Sequence, residues 1–171
     1  MANHAIVRLD RVSATTDGSL LRSVKFHDGS DFAAIDNGNV VALDARIEGE
    51  RELYKAVKPT AATTLAALAL IASPEYMPDN TVRGLDNFVN GAGEISRGIL
   101  FHEGDCFSVT AEALDAAATV GQVVEVKANQ TKWHVAAKAT AGAQVIGKVS
   151  AIETDGNYKW FVIDVAPYVG A

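Results

Sequence analysis

Short runs of β-branched and aromatic residues, separated by turn-forming dipeptides, are the feature that most limits how this chain can fold. The dipeptides Asp17-Gly18, Asp28-Gly29, Asn37-Gly38 and Asp155-Gly156 each fall between two such runs. They favour tight turns because glycine, asparagine and aspartate tolerate backbone conformations that other residues avoid. Asn37-Gly38 is the strongest hairpin indicator among them. The spacing predicts many short strands and little helix.

The predicted strands follow directly from these runs. They cover residues 5–9, 20–26, 32–35, 40–43, 52–57, 107–110, 123–127, 132–137, 145–152 and 160–165. Two stretches favour helix instead, residues 81–89 and the alanine-rich residues 111–118, with Thr110 as the N-cap of the second.

An internal similarity relates the two halves of the chain. Residues 38–43, Gly-Asn-Val-Val-Ala-Leu, resemble residues 121–126, Gly-Gln-Val-Val-Glu-Val, and each stretch precedes an aromatic strand, 53–61 or 133–141. In the same order, residues 29–32 resemble 104–107, and residues 68–73 lie where 146–151 lie in the other half. The similarity predicts two related β-modules. The alternative is that β proteins in general place Gly-x-Val-Val after a turn.

The stretch between the halves contains little that predicts regular structure. Residues 74–103 include Pro74, Pro78 and several glycines. A connection of this length is uncommon inside a compact domain, so it is either a surface loop or an extended arm that docks on a neighbouring subunit. We therefore predict an all-β chain of two small β-barrel- or sandwich-like modules, residues 1–73 and 104–171, joined by a connecting arm, residues 74–103.

Charge and composition exclude several classes of function. The chain has 171 residues, a formal net charge of −6 and a pI of about 5.1. Nucleic-acid binding and membrane-surface binding both need clustered Lys and Arg, which are missing here, so neither partner is expected. The longest apolar stretch, residues 61–72, is shorter than the roughly 20 residues that span a bilayer. Residues 1–10 lack the pattern of a secretory signal, and a single cysteine favours a reducing compartment.

No arrangement of residues predicts catalysis or a cofactor. The histidines are scattered, at His4, His27, His102 and His134, without the spacing of a metal site. Cys106 follows His102 by four residues, but a buried, inert thiol is the better interpretation than a nucleophile. Residues 28–31 resemble half of a calcium loop, yet the required glutamate is missing, and no phosphate-binding loop is present. We expect no cofactor, no metal and no enzymatic activity.

The densest charged cluster is Glu48-Gly49-Glu50-Arg51-Glu52. Its simplest interpretation is a solvated hairpin tip, and the alternative is a patch that pairs with basic residues of a partner. The two are compatible.

Several segments resemble a known group of proteins. Residues 49–57 with Pro59-Thr60-Ala61, and residues 85–88 leading through 92–94 and 97–98 into 104–110, are similar to small proteins encoded near the major capsid protein of tailed bacteriophages. The similarity extends over most of the chain, from about residue 38 to residue 165. It implies a capsid decoration, cement or head-fibre role.

From this resemblance we expect a structural virion protein, made in the host cytoplasm, that binds the capsid exterior and stabilises contacts between capsomers. Its expected partners are the major capsid protein and further copies of itself, as a trimer. The candidate interface residues are Glu48, Glu50, Arg51, Glu52, Asp86, Phe88, Glu94 and Arg97, and the strand at 5–9 is a further candidate because it could join a neighbour's sheet. The alternatives are another virion part, such as a head-fibre anchor, head-completion or tail-tube protein, and a soluble ligand-binding or enzymatic β-barrel.

Overall fold

The computed structural model describes residues 4–79, 81 and 84–166, and it confirms an all-β chain. Its strands are β1 (Val7–Arg11), β2 (Leu21–Asp28), β3 (Asp31–Phe32), β4 (Val40–Arg46), β5 (Leu53–Val57), β6 (Leu68–Ile71), β7 (Ser96–Leu100), β8 (Cys106–Val109), β9 (Val123–Val126), β10 (Trp133–Ala136), β11 (Gln144–Asp155) and β12 (Tyr158–Val165). In the described residues, helical structure is confined to single-turn 3-10 helices.

Five strands close into a small barrel. They pair in the order β2-β5-β4-β6-β7, and β7 returns to pair with β2, while β3 extends β2 as a short hairpin. All pairings around the barrel are antiparallel except that of β2 with β5. Closure leaves these strands without a free edge, which removes the usual site of sheet-to-sheet aggregation.

The remaining strands form an open sheet. Its order is β1-β8-β12-β11-β9-β10, with every pairing antiparallel. The long β11 and β12 make a hairpin at Asp155-Gly156, as the sequence predicts.

The two sheets repeat one order of pairing, which supports the predicted internal similarity. β5-β4-β6-β7-β2 in the barrel corresponds to β10-β9-β11-β12-β8 in the open sheet. The parallel pair that closes the barrel, Ser23 beside Leu53, has a counterpart in a single parallel bridge between Leu114 and Trp133. Gly38 and Gly121 both adopt a positive φ, +82° and +90°, where a side chain would be strained.

The hydrophobic core explains why β6 is apolar along its whole length. Ala69 and Ile71 point into the barrel, whereas Leu68 and Leu70 belong to a larger cluster that includes the open sheet. Alternate residues of a strand face opposite sides, so a strand covered on both sides reads as a continuous apolar run. The outer wall of the barrel is therefore also part of the core of the second sheet.

Trp133 occupies the centre of this shared core. It is fully buried, its ring lies 5.7 Å from that of Phe101 and 5.9 Å from that of Phe107, and its Nε1–H donates to the Gly38 carbonyl at 2.7 Å. Val40 N–H donates to the Thr131 carbonyl at 2.8 Å. The two β-modules are thus joined by packing and by hydrogen bonds.

The hairpin predicted at Asn37-Gly38 is wrong. Asn37 is 1% exposed, and its side-chain amide exchanges hydrogen bonds with the backbone of Ser73, while Gly38 packs against Val109. β4, which follows, pairs with β5 and β6 rather than with the strand before the turn. Long-range hydrogen bonds and packing outweigh the local preference of this dipeptide for a hairpin turn.

The predicted module boundaries differ from sheet membership in two places. β1 lies within residues 1–73 but pairs with β8 of the open sheet, where it is an edge strand with no second partner among the described strands. β7 lies within the predicted arm, 74–103, yet it pairs with both β6 and β2 and closes the barrel. Strand pairing depends on distant partners, which local composition does not report.

Neither predicted helix forms in the described residues. Residues 82–83 of the first, 81–89, lie outside the described part of the chain, and the described part contains only the 3-10 turn Leu85–Asn87. In the second, a 3-10 turn ends at Ala113. The Thr110 hydroxyl accepts from Ile6 N–H at 3.2 Å instead of capping a helix.

Candidate functional site

An open groove lies on one side of the barrel. The start of β2, the β4–β5 hairpin and residues from 73–76 and 88–97 line it, and its volume is about 980 Å³. The groove therefore combines residues that are far apart in the sequence, on strands that pair around a closed barrel.

Three arginines line this groove, and none has a carboxylate oxygen within 4.0 Å among the described residues. Arg22 donates to the backbone carbonyls of Ser19 and Leu21, at 2.6 and 2.8 Å. Arg46 lies 5.3 Å above the Tyr54 ring and donates to its hydroxyl at 3.2 Å. Arg97 is exposed at the start of β7. Their positive charge is available to an incoming acidic group.

Apolar side chains lie beside the arginines. Tyr76 is 81% exposed and Ile95 is 62% exposed, which is high for residues of this size, and Phe88 is half-buried. Arginine and tyrosine are enriched where protein interfaces gain most of their binding energy. The groove contains residue types of this kind side by side.

Buried amides hold the groove wall in place. Asn90, 3% exposed, donates to the Ile35 carbonyl at 3.0 Å and to the Asn37 side-chain oxygen at 3.1 Å. Asn37 in turn donates to the Glu75 carboxylate at 3.0 Å. Satisfied buried amides of this kind fix a loop rigidly, so the segment around Asn90 presents its exposed side chains in a defined arrangement.

The structure brings together four of the eight candidate interface residues. Glu52, Phe88, Glu94 and Arg97 all line the groove. Glu94 also accepts a hydrogen bond from Gly91 N–H at 2.8 Å.

Three more candidates, Glu48, Glu50 and Arg51, form the exposed tip of the β4–β5 hairpin, next to the groove. The tip is closed by hydrogen bonds from Ile47 N–H to the Leu53 carbonyl and from Glu50 N–H to the Ile47 carbonyl. The interpretation of this cluster as a solvated hairpin tip is confirmed.

The eighth candidate, Asp86, lies elsewhere. Its backbone carbonyl accepts from His4 N–H at 3.0 Å, and its carboxylate lies 3.5 Å from the Tyr158 hydroxyl of β12. The proximity of this carboxylate contributes to raising the pKa of Tyr158, for which burial is the largest cause. Asp86 thus connects the segment before β7 with the open sheet.

Sequence reasoning missed several groove residues, notably Arg22, Arg46, Tyr76 and Ile95. Arg22 and Arg46 sit in strands, where a lone arginine usually marks only a solvated face. The sequence does contain an indication that Tyr76 is exposed, since it is an aromatic residue between Pro74 and Pro78 in a predicted loop.

The single thiol is poorly suited to nucleophilic chemistry. Burial raises the pKa of Cys106 to about 11, and a hydrogen bond with Asp164 acts in the same direction. The nearby His102 uses Nδ1 to contact the Glu103 carbonyl. Because the thiolate is the reactive form, Cys106 is largely unreactive at neutral pH.

A histidine lies between two carboxylates at the edge of the open sheet. His134 Nδ1 lies 2.5 Å from Asp115 Oδ2, and its Nε2 lies 3.8 Å from Oε1 of the buried Glu125. The other Glu125 oxygen accepts from Thr140 N–H, and Asp115 also accepts from Val135 N–H. These bonds tie the edge strand β10 to its neighbours, which is a structural role.

A second, smaller cleft of about 450 Å³ lies where the N-terminal segment meets the barrel and Thr131. The side-chain oxygen of Asn39 is buried there, and no described residue donates a hydrogen bond to it. Because that oxygen is shielded from solvent, a ligand would reach it only after rearrangement. The cleft is therefore a weaker candidate than the groove.

Comparison with known proteins adds no relative. No protein-family model matches the chain, and no curated protein or solved structure matches it significantly. Within the described residues, no grouping of three metal-ligating side chains occurs, and no helix is long and apolar enough to cross a bilayer. The resemblance to phage capsid-associated proteins therefore rests on the sequence segments quoted for it.

Proposed function

We propose that this chain is a non-enzymatic structural protein that works by packing into an assembly, with the groove and the adjacent hairpin tip as its principal contact surface. The observation that carries the proposal is the set of three arginines that have no carboxylate partner among the described residues and lie beside exposed Tyr76 and Ile95. A surface of this composition gains free energy when a partner covers it.

The sequence resemblance supplies the setting for this role. In that setting the protein decorates the exterior of a tailed-bacteriophage capsid, contacts the major capsid protein and stabilises the junctions between capsomers as a homo-oligomer. A closed barrel that shares its core with a second sheet suits this work, because a rigid surface loses little conformational entropy on binding.

The test is binding to the capsid itself. Purified protein is mixed with DNA-free particles of the major capsid protein that is encoded near it. Bound protein is measured by sedimentation, and the melting temperature of the particles is measured with and without the added protein. We expect saturable binding and a higher melting temperature. Protein that does not co-sediment at any concentration would refute the capsid role.

Copy number separates decoration from the other virion roles. A decoration protein should approach the stoichiometry of the capsid protein, so copy number per particle distinguishes it from a head-completion, tail-tube or fibre-anchoring protein. Quantitative mass spectrometry of purified virions measures this ratio, and a ratio far below that of the capsid protein would favour the alternatives.

A further inference from the structure

The hairpin tip and the groove carry complementary features on one face. At the tip, Glu48 and Glu50 are exposed, and neither carboxylate has an ion-pair partner among the described residues. The groove beside them contains Arg22, Arg46 and Arg97, which are equally free of carboxylate partners. Tip and groove adjoin on the same side of the barrel. Because the tip's carboxylates do not pair with the groove arginines of the same chain in the described residues, they are available to the groove of a second copy.

The charge of this face differs from that of the whole molecule. The groove holds three arginines and two glutamates, and the tip holds one arginine and two glutamates, so positive and negative groups are equal in number. The whole chain carries a formal charge of −6. Two copies therefore repel one another in most orientations. When these faces meet, the net repulsion is absent and opposite charges on the two copies can pair.

Apolar area adds to this charge complementarity. Tyr76 and Ile95 are among the most exposed large apolar residues of the described chain, and both line the groove. Their burial would contribute a favourable term that does not depend on salt, whereas the contribution of the ion pairs weakens as salt is added.

We infer that the acidic hairpin tip of one copy docks into the arginine-lined groove of a second copy. A donor patch and an acceptor patch on the same face of one chain allow the contact to be reciprocated about a twofold axis, which closes a symmetric dimer rather than an open fibre. The inference extends the proposed function, since it names a second copy of the chain as a partner of the same contact surface. It rests on that proposal only in treating this face as a contact surface.

The test uses charge reversal on each side of the contact. The tip variant carries Glu48→Arg and Glu50→Arg, and the groove variant carries Arg97→Glu, all at exposed positions. Sedimentation velocity over a concentration series measures association. We expect wild-type protein to form an oligomer of fixed size, and each variant to associate at least tenfold more weakly, a loss of about 1.4 kcal/mol. An equimolar mixture of the two variants restores the oligomer.

Controls keep the result specific to the contact. Glu103→Arg and Lys148→Glu reverse exposed charges away from the face and should leave association unchanged. Far-UV circular dichroism and urea midpoints close to wild type show that each variant is folded. Variants that remain as oligomeric as wild type, or a mixture that fails to restore association, would overturn the inference.

Capsid binding is measured separately on the same proteins. If wild-type protein is monomeric at all concentrations while Arg97→Glu weakens its binding to emptied particles, the groove belongs to the capsid protein. That outcome overturns self-docking and leaves the proposed function intact. If wild-type protein forms oligomers but does not bind the particles, the self-docking inference stands and the proposed capsid role fails.

Discussion

Trp133 is the residue on which the junction of the two sheets depends. Its indole packs against the rings of Phe101 and Phe107, which also contact each other, and its Nε1–H donates to the buried Gly38 carbonyl. We predict that Trp133→Phe lowers the free energy of unfolding by about 2–4 kcal/mol, because it leaves both a cavity and an unpaired carbonyl. Urea denaturation followed by circular dichroism measures the change.

Trp160 provides a matched control. It is also buried, at 4% exposure, but its Nε1 has no hydrogen-bond partner among the described residues. Trp160→Phe removes the same atoms without breaking a hydrogen bond, so we expect a smaller loss, about 1–2 kcal/mol. Equal losses at the two positions would show that the bond to Gly38 contributes little.

Cys106 allows a prediction about pH. A thiol with its pKa raised to about 11 remains protonated through the neutral range, and its thiolate fraction grows about tenfold per pH unit well below the pKa. We expect the alkylation rate with iodoacetamide to rise steadily from pH 7 to pH 9.5. The urea-unfolded chain serves as control, and its rate should begin to level off near its ordinary pKa of about 8.5. A plateau in the folded protein at that same pH would contradict the prediction.

At the scale of single elements, Gly147 lies where β11 is too close to β12 to admit a side chain. It lies at an irregularity in the pairing of β11 with β9, and a Cβ added there would overlap the backbone carbonyl of Asp164 in β12. We predict that Gly147→Ala destabilises the protein by several kcal/mol, on the order of 3, because backbone must move to admit the methyl group. Thermal unfolding measures the effect.

Gly18 serves as the comparison. No atom lies within 4 Å of a Cβ placed on it, and its φ is not positive. Gly18→Ala should therefore leave stability unchanged or raise it by a few tenths of a kcal/mol through the unfolded chain. A similar loss of stability at Gly147 and Gly18 would mean that the close approach of β11 and β12 does not cause the destabilisation.

At the scale of the whole molecule, the shared core implies cooperative unfolding. One hydrophobic cluster includes Val40, Leu68, Leu70 and Ile99 of the barrel together with Phe107 and Trp133 of the open sheet. Neither sheet retains this core alone, so we predict a single urea transition. Tryptophan fluorescence reports the open sheet, and hydrogen exchange at β2 and β5 reports the barrel. Transitions that differ between these probes would show two independent units.

Local patterns predicted what local interactions control. The Asp155-Gly156 hairpin forms as expected, because its two strands are adjacent in sequence and pair across a short turn. The repeated Gly-x-Val-Val segments begin β4 and β9, which hold corresponding places in the two sheets. The candidate residues Glu48 and Glu50 lie at a hairpin tip for the same reason.

Other features escaped prediction because distant contacts decide them. β7 contains Arg97 and Gly98 and lacks a strong strand pattern, yet it forms because β6 and β2 pair with it on both sides. Gly98 fits closely there, since a Cβ would lie 3.3 Å from both Ala69 Cβ and Val24 Cγ1. Asn37-Gly38 fails as a hairpin because Ser73 and Asn90 bind the Asn37 side chain.

The sequence by itself determined the all-β class, most strand positions and the repeated pair of β-modules, since turn chemistry and side-chain alternation act over a few residues. Only the tertiary structure decided that β7 closes the barrel, that β1 joins the open sheet and that both sheets share one core. The groove belongs to this second group. Its arginines come from three separate strands, and only the closure of the barrel places them on one surface.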